Sequence, residues 1–229
     1  MFWFLLLCHF IGDYPLQTDG MVKAKKQIFG LTMHVFIHFV TLLVFLSAFI
    51  KLETSACIIL ALSVSFFHFA IDYWKNILSQ LRPSWIIFSY IQDQILHLIS
   101  LFLVSFLYYK YNGLESFNTN PVTAFYITGL ILSTHFWFIT ERVFSIKNPI
   151  YLQWTNTSMW PRMMSRGMLY GILFTGISFS SFVLFTGSIV VVWNDLNPEK
   201  RTTVLTRDLG GVMILMCLTW LIGQQIIAN

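Results

Sequence analysis

The sequence predicts an all-α protein, a polytopic transmembrane helical bundle of about seven membrane segments, the first of them short. Apolar residues make up 56% of the 229-residue chain and charged residues 10%, against about 25% charged in soluble domains. Mean hydropathy is +0.70. Several runs also reach the roughly 20 apolar residues that a helix needs to cross a bilayer. The excess of Lys and Arg over Asp and Glu, 14 against 10, then belongs to loops on one side of a membrane. No basic stripe interleaved with exposed aromatics occurs, so nucleic acid is not an expected partner; membrane lipid is.

The segments follow in order. The first covers about residues 1–17 and ends near Pro15; it lacks a basic n-region and a small-residue cleavage site, so no cleaved leader is expected. The second covers about 29–50, ending before Lys51, and the third about 54–74, ending at Trp74-Lys75. The fourth opens after Arg82-Pro83 and covers about 84–109, closing at Tyr108-Tyr109-Lys110. The fifth, about 121–142, starts on Pro121, a residue suited to a first helical turn. The sixth, about 166–193, is long enough to be tilted, and the seventh covers about 208–227. Cys8, Cys57 and Cys217 all lie in apolar runs without C-x-x-C spacing, which predicts buried or lipid-facing thiols, neither disulfides nor a thiolate zinc site.

Alternation of the segments gathers "KAKK" (23–26), Lys75, Arg82, Arg142, Lys147, Arg162 and Arg166 on one side, the cytoplasm, with the N-terminus outside. Lys51 and Lys110 fall opposite. So do Lys200, Arg201 and Arg207, which means that the rule is weak there or that the last two segments are miscounted. The loop around 143–166 carries Trp154 and Trp160 and suits an interfacial segment. Two domains are expected: a four-helix core over 1–110, and three further helices with this loop over 111–229.

The first four segments share a pattern. "HFIGD" places His9 and Asp13 at i and i+4; "HVFIH" does so with His34 and His38, "HFAID" with His68 and Asp72, and "DQILH" with Asp93 and His97. That spacing sets both groups on one helix face, about 6 Å apart along the axis. It is the spacing with which zincin helices present two ligands to one metal. Depth sharpens the pattern. At 1.5 Å per residue His34 lies about 12 Å beyond Lys26, His68 about 10 Å before Lys75, and Asp93 about 12 Å after Trp85. With alternating helices all four pairs come level in the cytoplasmic half of the bilayer core.

Five of the six histidines and three of the ten acids belong to these pairs. An unpaired carboxylate inside a bilayer costs several kcal/mol. A divalent transition metal meets that cost, and eight groups exceed the needs of one tetrahedral ion, which points to two ions or to one with a full shell of Asp–His partners. Imidazole and carboxylate suit Zn first, with Mn or Fe(II) as alternatives. Membrane histidines also serve as interhelical hydrogen-bonders without any metal. Haem needs only two facing imidazoles and leaves three aspartates unexplained. Gln17 and Gln94 stand near the aspartates of their segments, placed to orient a ligand or hold a substrate oxygen. Arg162 and Arg166 share a helix face that suits a lipid phosphate, although ordinary membrane anchoring accounts for them too. His135 and Glu141 are weaker candidates in the fifth segment.

"HFIGDYPLQTD", a short basic stretch, an H-x-x-x-H helix, "HFAIDYWK" and "DQILH" together resemble the bacterial membrane family of unknown function DUF3307, over about residues 1–110. The resemblance implies a bacterial cytoplasmic (inner) membrane location and carries no established activity. The pattern is loosely similar to membrane-bound metal-dependent hydrolases. Three functions remain in view. The first is a metal-dependent hydrolase of a lipid-type substrate, with His9, Asp13, His34, His38, His68, Asp72, Asp93 and His97 as ligands and Asp93 or Asp13 as general base. The second is a metal-ion or proton-coupled transporter, for which Gly171, Gly176, Ser178, Ser180 and Ser181 of the sixth segment offer polar or close-packing positions. The third is a structural or sensor metal site.

Overall fold

A computed structural model of the chain describes residues 1–50, 52–112, 121–175, 179–195 and 198–228. Every regular element among them is helical, and the chain is an all-α bundle protein. Five helical stretches are long and apolar enough to cross a membrane: Ile28–Ile50, Thr54–Leu81, Pro83–Tyr111, Pro121–Phe144 and Thr206–Gln224. Phe2–Asp13 and Phe179–Val191 are shorter apolar helices. The chain divides into two compact units, Met1–Ala124 and Phe125–Asn229.

The first unit opens with α1, Phe2–Asp13, which stops ahead of Pro15, a residue with no N–H to continue the helical ladder. The short α2, Asp19–Ala24, is capped by the Thr18 hydroxyl accepting from the Met21 amide. Gly30 lets the next helix pass tightly beneath it, since a Cβ there would collide with the Ala24 carbonyl. That helix, α3, covers Ile28–Phe45 and continues as a π-turn over Leu46–Ile50. Next come α4, Thr54–Leu81, and α5, Ile86–Asn112, separated by a 3₁₀ turn starting at Pro83. α4 runs seven residues past the expected Trp74, because "KNILSQL" holds no helix breaker before Pro83. Lys51, expected to close the second segment, lies outside the described residues.

In this unit α1 packs on α3 and α5, α3 on α4, and α4 on α5, closing a four-helix ring. Each helix turns one stripe inward: Leu31, His34, His38 and Leu42 on α3, and Leu60, Val64, His68 and Asp72 on α4. Phe36, Val44, Phe66 and Phe102 stay exposed on the outer faces. Large apolar side chains pointing outward around a polar interior fit a lipid surrounding.

The second unit holds most of α6, Pro121–Ile131, then a π-turn over Leu132–Phe136 and α7, Trp137–Phe144. α8, Pro149–Thr157, is capped by the Asn148 side chain accepting from the Tyr151 amide. α9 is Met159–Thr175, α10 Phe179–Asp195 and α11 Pro198–Ala228. The expected sixth segment, 166–193, is therefore corrected to two helices, α9 and α10, which pack antiparallel. Thr175 and Ser181 hydroxyls meet at 3.1 Å, Leu184 faces Gly171 and Met168 faces Gly187. The glycine at 171 serves close packing; Gly176 and Ser178 lie outside the described residues. The last helix starts at Pro198 instead of about 208, proline being accepted at a first helical turn. With one more reversal, Arg207 reaches Glu141 at 2.7 Å and also bonds Tyr151. Its charge sits beside the loop around 143–166, not opposite it.

Candidate metal centre

The inward stripes of α1, α3, α4 and α5 bring all eight residues of the four pairs together. His9, Asp13, His34, His38, His68, Asp72, Asp93 and His97 are all buried. Their ligand atoms form three overlapping groups among the described residues: His9, Asp13, His38 and His68; His34, His68 and Asp72; and Asp72, Asp93 and His97. His68 and Asp72 each belong to two groups, which makes the cluster continuous.

Asp13 lies at one end. Its Oδ1 is 3.1 Å from His34 Nε2, 3.2 Å from His38 Nε2 and 3.7 Å from His68 Nε2, and its Oδ2 is 3.3 Å from His9 Nε2. His34 and His68 bring their Nε2 atoms to 3.0 Å. Asp72 Oδ2 stands 3.6 Å from His68 Nε2 and 3.7 Å from His34 Nε2, while its Oδ1 is 3.6 Å from His97 Nε2. Asp93 Oδ1 is 3.4 Å from His97 Nε2.

These separations carry a test of fit. Two ligands about 2.05 Å from one tetrahedral ion lie about 3.3 Å apart. The cluster's contacts run from 3.0 to 3.7 Å. Hydrogen bonds alone leave the chemistry incomplete. Each neutral imidazole brings one N–H, whereas His34 Nε2 meets an imidazole nitrogen and two carboxylates at once. His97 Nε2 and Asp93 Oδ1 face each other without a hydrogen-bond partner, and the Nδ1 atoms of His9, His34, His38 and His68 have none either. Nitrogen and carboxylate oxygen are the donor set; the buried thiols of Cys8 and Cys57 enter none of the groups. The residues fit a divalent transition ion.

The two glutamines take supporting places. Gln17 donates to the Asp13 carbonyl at 2.9 Å. Gln94 donates to Asp93 Oδ2 at 3.0 Å and accepts from the Tyr14 hydroxyl at 3.0 Å. Sequence reasoning missed three contributors. Lys25 reaches Asp72 Oδ2 at 2.7 Å and donates to Gln17 Oε1 at 2.8 Å. Lys75 reaches Asp93 Oδ2 at 2.6 Å. Gly12 is the third: a Cβ there would stand 2.6 Å from His38 Nε2. Its signal was a glycine inside an apolar helix, between His9 and Asp13. Lys75 was legible in part, one turn after Asp72. Lys25 was not, since its position depends on α2 and on Asn76 donating to its carbonyl at 2.7 Å. Gly12→Val should push the His38 ring off the cluster. Metal affinity is expected to fall by roughly 10–100-fold, the loss typical of a misoriented ligand, as read by competition with a chromogenic chelator. Wild-type affinity in this variant would mean that His38 holds nothing.

Arg162 and Arg166 lie in the second unit, both buried, in an ion-pair network of their own. Arg162 grips Asp208 through Nε at 2.7 Å and Nη2 at 2.9 Å, and Glu141 through Nη2 at 2.7 Å. Arg166 is 3.6 Å from Asp208 and donates to the Thr134 carbonyl at 3.5 Å. Its guanidinium also faces the Trp137 ring. His135 sits in the same unit, its Nδ1 3.2 Å from the Thr134 hydroxyl. On α8, Tyr151 donates to Glu141 at 2.5 Å; burial first, and then this carboxylate, raise its phenol above the usual value.

The model of one protein family, DUF3307, described as a protein of unknown function, matches residues 1–126. That stretch and the first compact unit end within two residues of each other. No curated protein and no solved structure matches the chain.

Proposed function

We propose that this chain, which belongs to the DUF3307 family, is an intramembrane metal-dependent hydrolase acting on a lipid-type substrate. The observation that carries the reading is the chain of His–Asp contacts, 3.0 to 3.7 Å long, buried in the ring of α1, α3, α4 and α5. The residues that would hold metal are His9, Asp13, His34, His38, His68, Asp72 and His97, a donor set large enough for about two ions. Zn suits the donors first, and Mn or Fe(II) next. A divalent ion held there supplies Lewis acidity and a water whose pKa falls to about 7.

The chain's own residues divide the rest of the work. Asp13, set among four imidazoles, is a ligand. Asp93 is the better general base, because Gln94 and Lys75 hold its Oδ2 while Oδ1 keeps no hydrogen-bond partner and is aimed at the cluster. Tyr14 fixes the Gln94 amide and so orients that carboxylate. The test is turnover of phospholipid and prenyl-phosphate pools in liposomes, followed by mass spectrometry. Metal-loaded wild type should deplete one pool, and Asp93→Asn should lose turnover by about 100-fold or more while keeping metal. No change in any pool would sink the hydrolase.

One observation favours a second reading. Ionisable groups follow one another at 3.4–3.7 Å along Asp13–His68–Asp72–His97–Asp93 and end on Lys75 at 2.6 Å, a series that small side-chain movements would join into a proton relay. Proton uptake by liposomes with no lipid consumed would put the carrier first.

The site belongs to the cytoplasmic half of an inner membrane, beside the basic turn that supplies Lys25. Arg207, which bonds Glu141 and Tyr151 beside the basic loop around 143–166, is expected to face the cytoplasm by the same rule. A single cysteine at Gln27 and one at Arg207 should both resist an impermeant thiol reagent in intact cells. Labelling of either from outside would overturn this orientation.

A further inference from the structure

Two side chains of the cluster have no part in holding a metal. The Lys25 ammonium is on Asp72 and the Lys75 ammonium is on Asp93. The carboxylates are 3% and 2% exposed, whereas the lysines are 13% and 31% exposed. In each pair the lysine is the more exposed side chain. Lys75 also lines a groove between α4 and α5 with Trp74, Ser89, Gln92 and Asp93. The groove is shallow and has no room for a water molecule as it stands, so a ligand entering there must part the α4 and α5 side chains. Lys75 and Asp93 are the charged residues that line it.

Charge says what this arrangement is for. Three aspartates and two lysines contribute one net negative charge, and imidazoles that ligate a metal add none. One divalent ion turns that into one net positive charge, and a second ion adds two more. Uncompensated positive charge in an apolar bundle is costly. A carboxylate that gives an oxygen to a metal is also a weaker partner for its lysine, so a metal on Asp72 would free the Lys25 ammonium for another anion, while Lys75, paired with the non-ligating Asp93, is the more exposed of the two lysines. Lysine binds phosphate as a point charge, and a phosphate monoester brings about −1.5 to −2, more than a carboxylate does.

We infer that Lys25 and Lys75 make the metal-loaded cluster a receptor for a phosphate group, entering along the α4–α5 groove at Lys75. The inference rests on the metal reading above and names the substrate class of that site: a phosphate-bearing molecule, whose membrane source is a lipid phosphomonoester. The two lysines are specificity-determining residues. They touch the phosphate and hold no metal.

The experiment uses the full chain in phosphatidylcholine nanodiscs loaded with Zn, with metal content measured on every sample. The probes are radiolabelled inorganic phosphate and, separately, phosphatidic acid added to the nanodisc as a competitor. Wild type should retain phosphate with Zn and release it after chelation. Lys25→Gln and Lys75→Gln should keep their metal and bind phosphate roughly tenfold more weakly, the loss of one charge-assisted contact. Lys75→Arg, which keeps the charge, should stay within about threefold. Displacement by phosphatidic acid at its membrane concentration identifies the lipid source; retention that only free phosphate displaces identifies the soluble one. Either supports the receptor.

Phosphate held equally by wild type and metal-loaded Lys→Gln variants overturns the role of the lysines. Metal-loaded wild type that takes phosphate from neither source overturns the receptor and leaves the metal reading standing. A chain that takes up no metal removes both. If a Lys→Gln variant does not fold, Lys75→Arg and the Zn dependence of wild type still decide the matter.

Discussion

Asp13→Asn should strip the cluster of metal more thoroughly than any other single change. The carboxylate faces four imidazole nitrogens within 3.7 Å. The amide keeps its shape, loses its charge and turns an N–H toward atoms that carry lone pairs. Changes one shell further out already cost 10–100-fold in metal affinity, so loss of this carboxylate should cost at least about 100-fold. His135→Ala, at the one histidine outside the cluster, should leave metal content at the wild-type level. Elemental analysis of both purified variants checks the pair. Equal metal in Asp13→Asn and wild type would remove Asp13 from the ligands.

Arg162→Met should be the most destabilising change in the second unit. It leaves Asp208, which is 1% exposed, with Arg166 at 3.6 Å and Arg207 at 3.5 Å as its remaining ion-pair partners. It also takes a hydrogen bond from Glu141. Removing one side of a buried ion pair costs about 3–5 kcal/mol, because the other charge stays buried. Adding Asp208→Leu should recover most of that loss, since apolar replacement of both partners is often close to neutral. Unfolding of the full chain in detergent, followed by circular dichroism, reads the three proteins. A single variant within about 1 kcal/mol of wild type would show that the network contributes little. It would also free Arg162 for the lipid-phosphate role that its helix face suggests.

Much of the candidate site was legible because helix period and membrane alternation act together. Four pairs at i and i+4, placed late in α1 and α4 and early in α3 and α5, meet at one level in an up-and-down ring. Burial of polar groups in apolar segments left them nowhere else to go. Hydropathy could not show the reversal within 166–193. "GMLYGILFTGISFSSFVLFTGSIVVVW" contains no charge and no proline, and its one local signal, the cluster of Gly176, Ser178, Ser180 and Ser181, reads equally well as close packing within a single helix. Packing reveals it, through the facing of Gly171 and Leu184 and of Gly187 and Met168. Lys25 was hidden for a different reason. Basic residues beside a membrane helix read as anchors, and only the corner between α2 and α3, tightened at Gly30, turns this one onto Asp72. The partners of Arg162 were hidden by distance along the chain: Glu141 and Asp208 lie 21 and 46 residues away.

The central claim is that the buried His–Asp cluster holds metal. Its most direct test is the metal stoichiometry of the full chain, solubilised gently and analysed by plasma mass spectrometry before and after exposure to Zn, Mn and Fe(II). The account predicts about two ions per chain, with Zn retained through gel filtration. A protein that is folded, free of metal as purified and still free of it after each addition would contradict the account, and the cluster would then stand as a proton relay.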